Sequence, residues 1–411
     1  QIGTEEVTNG NFSQIGSELV TNGNFSQEGT EQITNGNFSN GSTDWNLVRG
    51  NVIDNKAVFN TTSAPSGSRS VFAIQNNVAD LNKIYKVQFT ISNYVSGQFR
   101  LRQPFITTDT FGNGTYTYYG TAIEVNLHLQ GRLDIEHNFS IDNVSVKEVL
   151  QDWTVLDYGA IAASASLSLD NGAVKILKTA DRDWRSSFLN QSISYTNGSQ
   201  YKVTFKIKDG NLTSPNIYLR NAFNQSSNTI KANVPITSTF VEHTYYFTAN
   251  SSSTDISIGN LDWNNQGIGE FFFVDDISVK EVLQNWGAKD GTMTLSDSGA
   301  LLFDNSSGNA NGGAFQNVGL VTGKQYQMTA TMQLLTGASN GIFKLFTSTS
   351  TGGGQSPVYN GGALIVGGAA VTETFTFTPA SGDVSIQLSC NESNATYTID
   401  NISVKEVGQD W

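Results

Sequence analysis

The sequence predicts an all-β chain of three tandem β-sandwich modules of jelly-roll type, preceded by short repeats, and three observations carry that reading. The nonapeptide IDNVSVKEV at 141–149 returns as VDDISVKEV at 274–282 and IDNISVKEV at 399–407. A second shared segment lies midway through each unit: YKVQFTI from Tyr85, YKVTFKI from Tyr201 and YQMTATM from Tyr326. In it Tyr85, Val87, Phe89 and Ile91 alternate with Lys86, Gln88 and Thr90, the period of two that belongs to strands, and helical periodicity is nowhere sustained. Turn signals such as Asp170-Asn171-Gly172, Asn197-Gly198 and Gly112-Asn113-Gly114 punctuate these runs, so a unit of this length holds roughly eight to ten strands in two sheets.

Taken in order, residues 1–39 repeat a 13-residue unit, EEVTNGNFSQIG, ELVTNGNFSQEG, EQITNGNFSNGS, which places Val7, Val20, Ile33 and Phe12, Phe25, Phe38 at equal steps. Each copy has one short strand, one turn and one anchoring Phe, too little to bury a core. The segment is either a duplicated linker or a set of strands that pair with sheet edges of the modules or of neighbouring chains, its last copy opening the first module. Module 1 is expected over 40–149, module 2 over 150–282 and module 3 over 283–407, with 408–411 starting a further repeat or an inter-subunit junction. Trp45, Trp153, Trp286 and Trp411 recur at one position, where core or junction packing is the expectation. Only three residues separate Val149 from Trp153 and Val282 from Trp286, so neighbouring modules should stack nearly rigidly.

Composition removes several function classes. With 23 Lys plus Arg against 36 Asp plus Glu, a net charge of −13 and no basic cluster, the chain lacks what phosphate neutralisation needs, and nucleic acid is not an expected partner. The longest apolar stretch, Gly361 to Val371, is Gly-interrupted and far short of the roughly 20 residues that span a bilayer, so membrane insertion is not expected. No charged-then-apolar signal segment opens the chain, which starts at Gln1, so either a start was removed or the sequence is an excerpt. The single cysteine, Cys390, alternates with Val384, Ile386 and Leu388 and reads as a buried thiol.

No catalytic set emerges either. His128, His137 and His243 are isolated among strand residues without metal-ligand spacing. Asp275 and Asp276 are strand neighbours that point to opposite faces, unlike paired carboxylates across a cleft. Asp181 and Asp183 flank Arg182 in what reads as a solvated turn, and no phosphate-binding Gly loop is present. The chain is therefore expected not to be an enzyme.

The start motif T-N-G-N-F-S, a Trp soon after, the central Y-K-V-x-F strand and the terminal I-D-N-V-S-V-K-E-V resemble the jelly-roll carbohydrate-binding modules of the family 4/9/22 type, especially tandem copies in tail-fibre and appendage proteins of bacteriophages. The resemblance covers 31–149 fully, and 153–282 and 286–407 without the start motif. It implies a two-sheet sandwich whose concave sheet holds a glycan, and a structural calcium tying the start motif to the acidic residue of the last strand; no other cofactor is required. Carried over, the calcium position falls on Asp142 with Asn37 and Ser39, where the family offers a carboxylate in place of Ser39. Asp275, Asp276 and Asp400 match in the other modules, where the start-motif partners are absent. The alternative role for these aspartates is to cap the strand end.

Glycan binding needs flat aromatic faces together with amides, carboxylates and guanidinium groups for the hydroxyls. Module 2 is best equipped, with Asp183, Trp184 and Arg185 before a shared Phe188, plus Tyr218, Arg220 and Trp263. Module 1 offers Arg69, Arg100, Arg102 and Tyr94, and module 3 has Asn311, Gly312 and Gly313 at the aligned place, before a shared Phe315. Trp184 and Trp263 are open between ligand platform and inter-chain contact. These features point to a non-catalytic structural and adhesive subunit of an extracellular or virion fibre, partnered by other copies of itself or virion proteins and by a cell-surface glycan. Two alternatives stand beside it: glycan-binding accessory modules of a larger secreted enzyme or adhesin, and a self-polymerising filament subunit that exchanges its N-terminal strands.

Overall fold

The computed structural model of the chain describes residues 2–408 apart from 66, 68, 106, 108–111, 133–134, 158–164, 181–186, 262–264, 297, 306–307 and 350–356. Among these residues the regular elements are antiparallel β-strands and one short 3₁₀ turn at Ser226–Asn228. They form three sandwiches around three apolar cores.

In each sandwich the shared central strand lies beside the strand that carries the nonapeptide. These pairs are Ile84–Ser96 with Asn138–Val149, Gln200–Asp209 with Phe271–Val282, and Gln325–Thr336 with Thr396–Val407. The alternation read from the sequence holds, with Tyr85, Val87, Phe89 and Ile91 buried and Lys86, Gln88 and Thr90 on the outer side. A second, smaller sheet closes each core. In module 1 its order is Asn46–Val48, Phe72–Gln75, Leu127–Gly131, Phe99–Gln103. In module 2, Ser187–Ser192, Asp255–Asn260 and Ile217–Arg220 take the last three places, and in module 3, Gly313–Asn317, Ser385–Ser389 and Gly341–Ser348 do so.

The nonapeptide repeats because it bends the last strand. Its third residue sits at positive φ in every copy: Asn143 at 52°, Asp276 at 49° and Asn401 at 51°, a region that Asn and Asp enter more readily than other side-chain-bearing residues. The preceding aspartate stabilises the bulge, since Asp142 Oδ1 accepts the Asn143 N–H at 2.7 Å, Asp275 that of Asp276 at 2.8 Å and Asp400 that of Asn401 at 2.7 Å. Before the bulge the strand pairs with a strand of its own module, as Ile141 does with Ala57. Past it, that edge is free for another partner.

The partner is the N-terminal segment, and it runs backwards over the modules. Strand Glu28–Glu31 of the third repeat pairs with module 1 (Lys147 opposite Glu31), Ile15–Glu18 of the second with module 2 (Lys280 opposite Glu18), and Ile2–Glu5 of the first with module 3 (Lys405 opposite Glu5). The expectation that modules 2 and 3 lack a start motif is thus corrected: each receives one from a repeat far away in sequence. Chain continuity explains the order. The third repeat leads directly into Trp45 of module 1, so the earlier repeats extend the other way, and 13 extended residues reach at most about 45 Å, enough to step to the next module.

Both junctions are built alike. Leu150 and Leu283 adopt φ of 56° and 58°, and their carbonyls accept the backbone N–H of Trp153 at 3.0 Å and Trp286 at 2.9 Å. A leucine there costs about 1–2 kcal/mol, offset by burying its side chain in the core of the following module, worth about 1.5–3 kcal/mol. Gly408, at 78°, occupies the same place after module 3. Tyr119 and Tyr246, each opposite the lysine of its central strand, lean on the core of the next module. Neighbouring cores are therefore in contact across each junction.

Candidate functional site

The three arm-to-module contacts use the same five fixtures. The first is a glutamate. Glu31 Oε1 accepts the amides of Val146 at 2.8 Å and Ile33 at 3.0 Å, while its Oε2 accepts the Ser145 hydroxyl at 2.5 Å. Glu18 does the same with Val279, Val20 and Ser278, and Glu5 with Val404, Val7 and Ser403. Second, a side-chain amide of the smaller sheet closes on the arm backbone in both directions: Gln75 on Thr34 and Gln191 on Thr21 at 2.9 Å, Gln316 on Thr8 at 2.8 Å.

The turn that follows supplies the rest. Asn35, Asn22 and Asn9 take positive φ, and each carbonyl accepts the indole N–H of the module tryptophan: Trp45 at 3.0 Å, Trp153 at 3.2 Å and Trp286 at 3.3 Å. Gly36, Gly23 and Gly10 press against backbone, where a Cβ would lie 2.0, 1.9 and 2.0 Å from the carbonyl oxygens of Val144, Ile277 and Ile402. Last, Phe38, Phe25 and Phe12 bury themselves against those tryptophans with ring centroids 5.1, 5.4 and 5.5 Å apart. The recurring Phe and Trp thus meet as partners. Trp411 lies outside the described residues.

A different surface gathers the glycan candidates. On the side of the smaller sheet away from the core, module 1 lines up Phe72, Gln130 and Arg100 in one row; in the next, Ile74 faces His128, and a bulge brings Gln103 opposite His128 with Arg102 just before it. Gln130 is 5% exposed, and its Oε1 and the Arg100 Nε have no hydrogen-bond partner among the described residues. Burial, with the Arg102 guanidinium beside it, holds His128 below the usual imidazole value. In module 2 the same rows hold Phe188, Gly259, Tyr218 and Asn190, Ser257, Arg220. Tyr218 is thus the counterpart of Arg100, while Arg220 takes the ladder place that the module 1 bulge gives to Gln103, next to Arg102. Arg220 is 6% exposed, with its guanidinium 5.2 Å from the Phe188 ring centre and 5.5 Å from that of Tyr218, and its Nη1 donates to the Phe223 carbonyl at 3.0 Å. Asn190 donates to Ser257, which donates to Asp255, at 2.7 and 2.5 Å.

Module 3 places Phe315, Gln387 and Phe346 in one row, the last two buried, with Gln387 donating to the Asn311 carbonyl at 2.6 Å. Here the register corrects the sequence alignment. Phe315 follows its Trp-adjacent partner Gly287 as Ile74 follows Asn46 and Asn190 follows Thr154, so it is the counterpart of Ile74 and Asn190, two places on from Phe72 and Phe188. The shared residue of these segments is the glutamine, Gln75, Gln191 or Gln316. Arg69 is placed elsewhere, its Nη2 3.1 Å from Glu136 and its Nε donating to the Ala64 carbonyl at 3.0 Å. Trp184, Arg185 and Trp263 lie outside the described residues, as do Asp181 and Asp183.

The calcium corner is now complete in its protein parts, because the repeats bring the missing start motifs. Asn11, Ser13 and Asp400 line one cleft of about 370 Å³ between modules 2 and 3. The donor set does not fit a cation wanting six to eight oxygens. Asp400 is the only carboxylate among those lining residues, one of its oxygens holds the Asn401 amide, and Lys202 lines the same cleft. In module 1 Asn37 Oδ1 accepts the Ser39 N–H at 3.2 Å and Asp142 holds its own bulge. Asp276 is the bulge residue, not the counterpart of Asp142, and pairs with Lys206 at 2.7 Å. Among the described residues no group of three or more His, Cys, Asp or Glu could hold a metal. Chelation with EDTA is expected to leave the melting temperature unchanged; a fall that added calcium reverses would refute this.

The remaining reactive groups are structural. Burial pushes the Cys390 thiol up to about 11. His243 Nε2 lies 2.8 Å from the Pro235 carbonyl. His137 is fully buried, its Nε2 2.8 Å from the Arg132 carbonyl, and burial lowers its pKa. Unfolded, the imidazole titrates near about 6.5, so below that value the unfolded chain binds the extra proton. Its contribution is fully present above about pH 6.5 and is lost as pH falls toward the lower folded value. Module 1 is expected to melt earlier at pH 5.5 than at pH 7.5, and His137→Gln to flatten that slope; an unchanged slope in the variant would assign it to other groups.

No family model matches the chain, and no curated protein does. Solved structures do. The chain is similar to a structure described as "CBM4 structure and function", at 19% identity over 31% of this chain and 86% of that one, with a TM-score of 0.25. It is similar to the tandem CBM22-1–CBM22-2 domain of Paenibacillus barcinonensis Xyn10C, at 9% identity over 63% and 94%, TM-score 0.24. It is also similar to the enzymatically active domain of bacteriophage CBA120 tailspike protein 4, at 12% identity over 32% of this chain but only 19% of that one, TM-score 0.23.

Proposed function

We propose that the chain is a non-catalytic rod that serves as a structural and adhesive element of an extracellular or virion fibre, holding three non-identical sheet faces toward glycan. The observation that carries this reading is the arm, which crosses both module junctions and fastens all three sandwiches with one 39-residue segment. A clamp of this kind, added to junction leucines shared with the next core, suits a load-bearing spacer better than independently tumbling domains. The half-buried groups of the outer faces fit the adhesive role, Phe72 and His128 in module 1, Tyr218 in module 2 and Phe315 in module 3, and their differences give each module its own ligand preference.

Small-angle scattering and electron microscopy of the whole chain test the rod. A single stiff particle is expected, loosening into flexible beads when residues 1–39 are deleted; beads in the intact chain would overturn the reading. One observation favours the second reading, accessory glycan-binding modules of a larger protein: on the outer face of module 1 the Arg100 Nε and Gln130 Oε1 have no hydrogen-bond partner among the described residues. A glycan array with the intact chain and Arg102→Ala separates the two. Binding that the substitution abolishes, in a chain that forms no fibre, would move the weight to this second reading.

A further inference from the structure

The first repeat and module 3 are joined by position rather than by connection. Glu5 reaches Ser403 across 398 residues of sequence, so the contact is held by its hydrogen bonds and packing and not by a short covalent connection. No topological constraint reserves this contact for the chain's own strand. Moreover, the three sites are chemically equivalent. The same atoms of Glu, Thr, Asn, Gly and Phe meet the same kinds of atoms of Ser, Gln, Trp and the bulge backbone, with distances agreeing within a few tenths of an ångström. A repeat that satisfies one module therefore satisfies the recognition elements of another.

Removing the strand leaves a defined vacancy. The edge around Ile402–Val407 loses its ladder partner, the Trp286 indole N–H loses the Asn9 carbonyl, Gln316 loses both bonds to Thr8, and the core loses Val7 and Phe12. An open edge flanked by an aromatic pocket is a template for an added strand.

We propose that the module 3 edge is a strand-acceptor site for the T-N-G-N-F-S repeat of a second copy of this chain, so that chains join by exchanging their first repeats. The contacts made within one chain and between two are the same, so their balance is set by effective concentration rather than by new chemistry. The variable positions of the repeat tune the choice of module. Glu28 is held by Lys86 at 2.5 Å and Lys147 at 2.9 Å. At module 3 the counterparts are Gln327 and Lys405, opposite one another in the ladder, and the first repeat carries Ile2 there. The third repeat is accordingly matched to module 1 and the first to module 3.

The test uses a chain lacking residues 1–13 and a fluorescent peptide of residues 1–13. One peptide is expected to bind per chain and to raise the melting temperature of module 3. Peptides carrying Gly10→Ala or Phe12→Ala should bind at least 10-fold more weakly, and a peptide of residues 27–39 a few-fold more weakly. Absence of binding by a folded module 3 overturns the acceptor site. If the shortened chain does not fold module 3, refolding it with the peptide must restore that module, and failure to do so overturns the site equally. The second-copy claim is read separately: after incubation with the intact chain, native mass spectrometry should show one-to-one pairs of shortened and intact chains. Peptide binding without such pairs would overturn exchange between chains.

Discussion

Phe25→Ala is expected to destabilise module 2 by about 3–5 kcal/mol, the range for deleting a buried aromatic side chain. Phe25 is 1% exposed, meets Trp153 edge-on and belongs to the same core as Leu167, Val203 and Ile258. It also sits at φ 54°, a conformation that costs a bulky residue about 1–2 kcal/mol and that burial of the ring compensates. Truncation removes the compensation and keeps much of the cost. Denaturant unfolding followed by tryptophan emission measures the loss, and hydrogen exchange locates it. Fast exchange should appear across residues 14–26 and the edge of Phe271–Val282, with the first and third repeats still protected. A loss below about 1 kcal/mol would mean that the arm is ornamental to module 2.

Gly23→Ala is expected to act on the same contact by a different route and to cost about 2–3 kcal/mol as an overpacking change. The added methyl would lie 1.9 Å from the Ile277 carbonyl oxygen, and Gly23 O accepts the Ile277 N–H at 2.9 Å, so the clash falls on backbone that is itself engaged. No rotamer change relieves it; the turn must lift away. Gly41→Ala serves as the comparison, since a Cβ there meets nothing within 4 Å and only the positive φ opposes it. Should the two substitutions cost the same, close approach is not the reason for glycine in the repeat. Limited proteolysis between residues 14 and 26 gives an independent measure.

Much of the architecture was legible because it is written three times. Recurrence of the nonapeptide and of the Tyr-led strand gave the number of sandwiches, and the alternation around Phe89 gave the inward face. The pairing of the repeats with sheet edges was legible as one alternative, but its order was not. Three near-identical repeats and three near-identical acceptor edges carry almost no information on who pairs with whom; only Glu28 against Lys86 and Lys147 hints at it. The glutamate and the reciprocal glutamine were missed although both recur, since Phe315 lies beside Gln316 and attracted the alignment to the aromatic instead. Arg102 and Arg220 could be named from composition, but their ladder places, Arg220 opposite Ser257 and Arg102 beside the bulge that sets Gln103 against His128, depend on strand register, which residue types alone do not specify. His128 and Gln130 were passed over for the same reason, as they become neighbours of the arginines only across the ladder.

The pairing of Ile2 with Val407 has a mechanical meaning. Both tails of the described chain leave from module 3, and because the two strands are antiparallel, tension between the tails falls on that one pair first. The hydrogen bonds would open in succession, as in unzipping, instead of sharing the load as in shear. Each repeat set free would lengthen the tether by roughly 45 Å, 13 residues at full extension. Pulled by its two tails, the molecule yields stepwise at low force. Pulled between its far pole and either tail, it resists along the whole length of the arm.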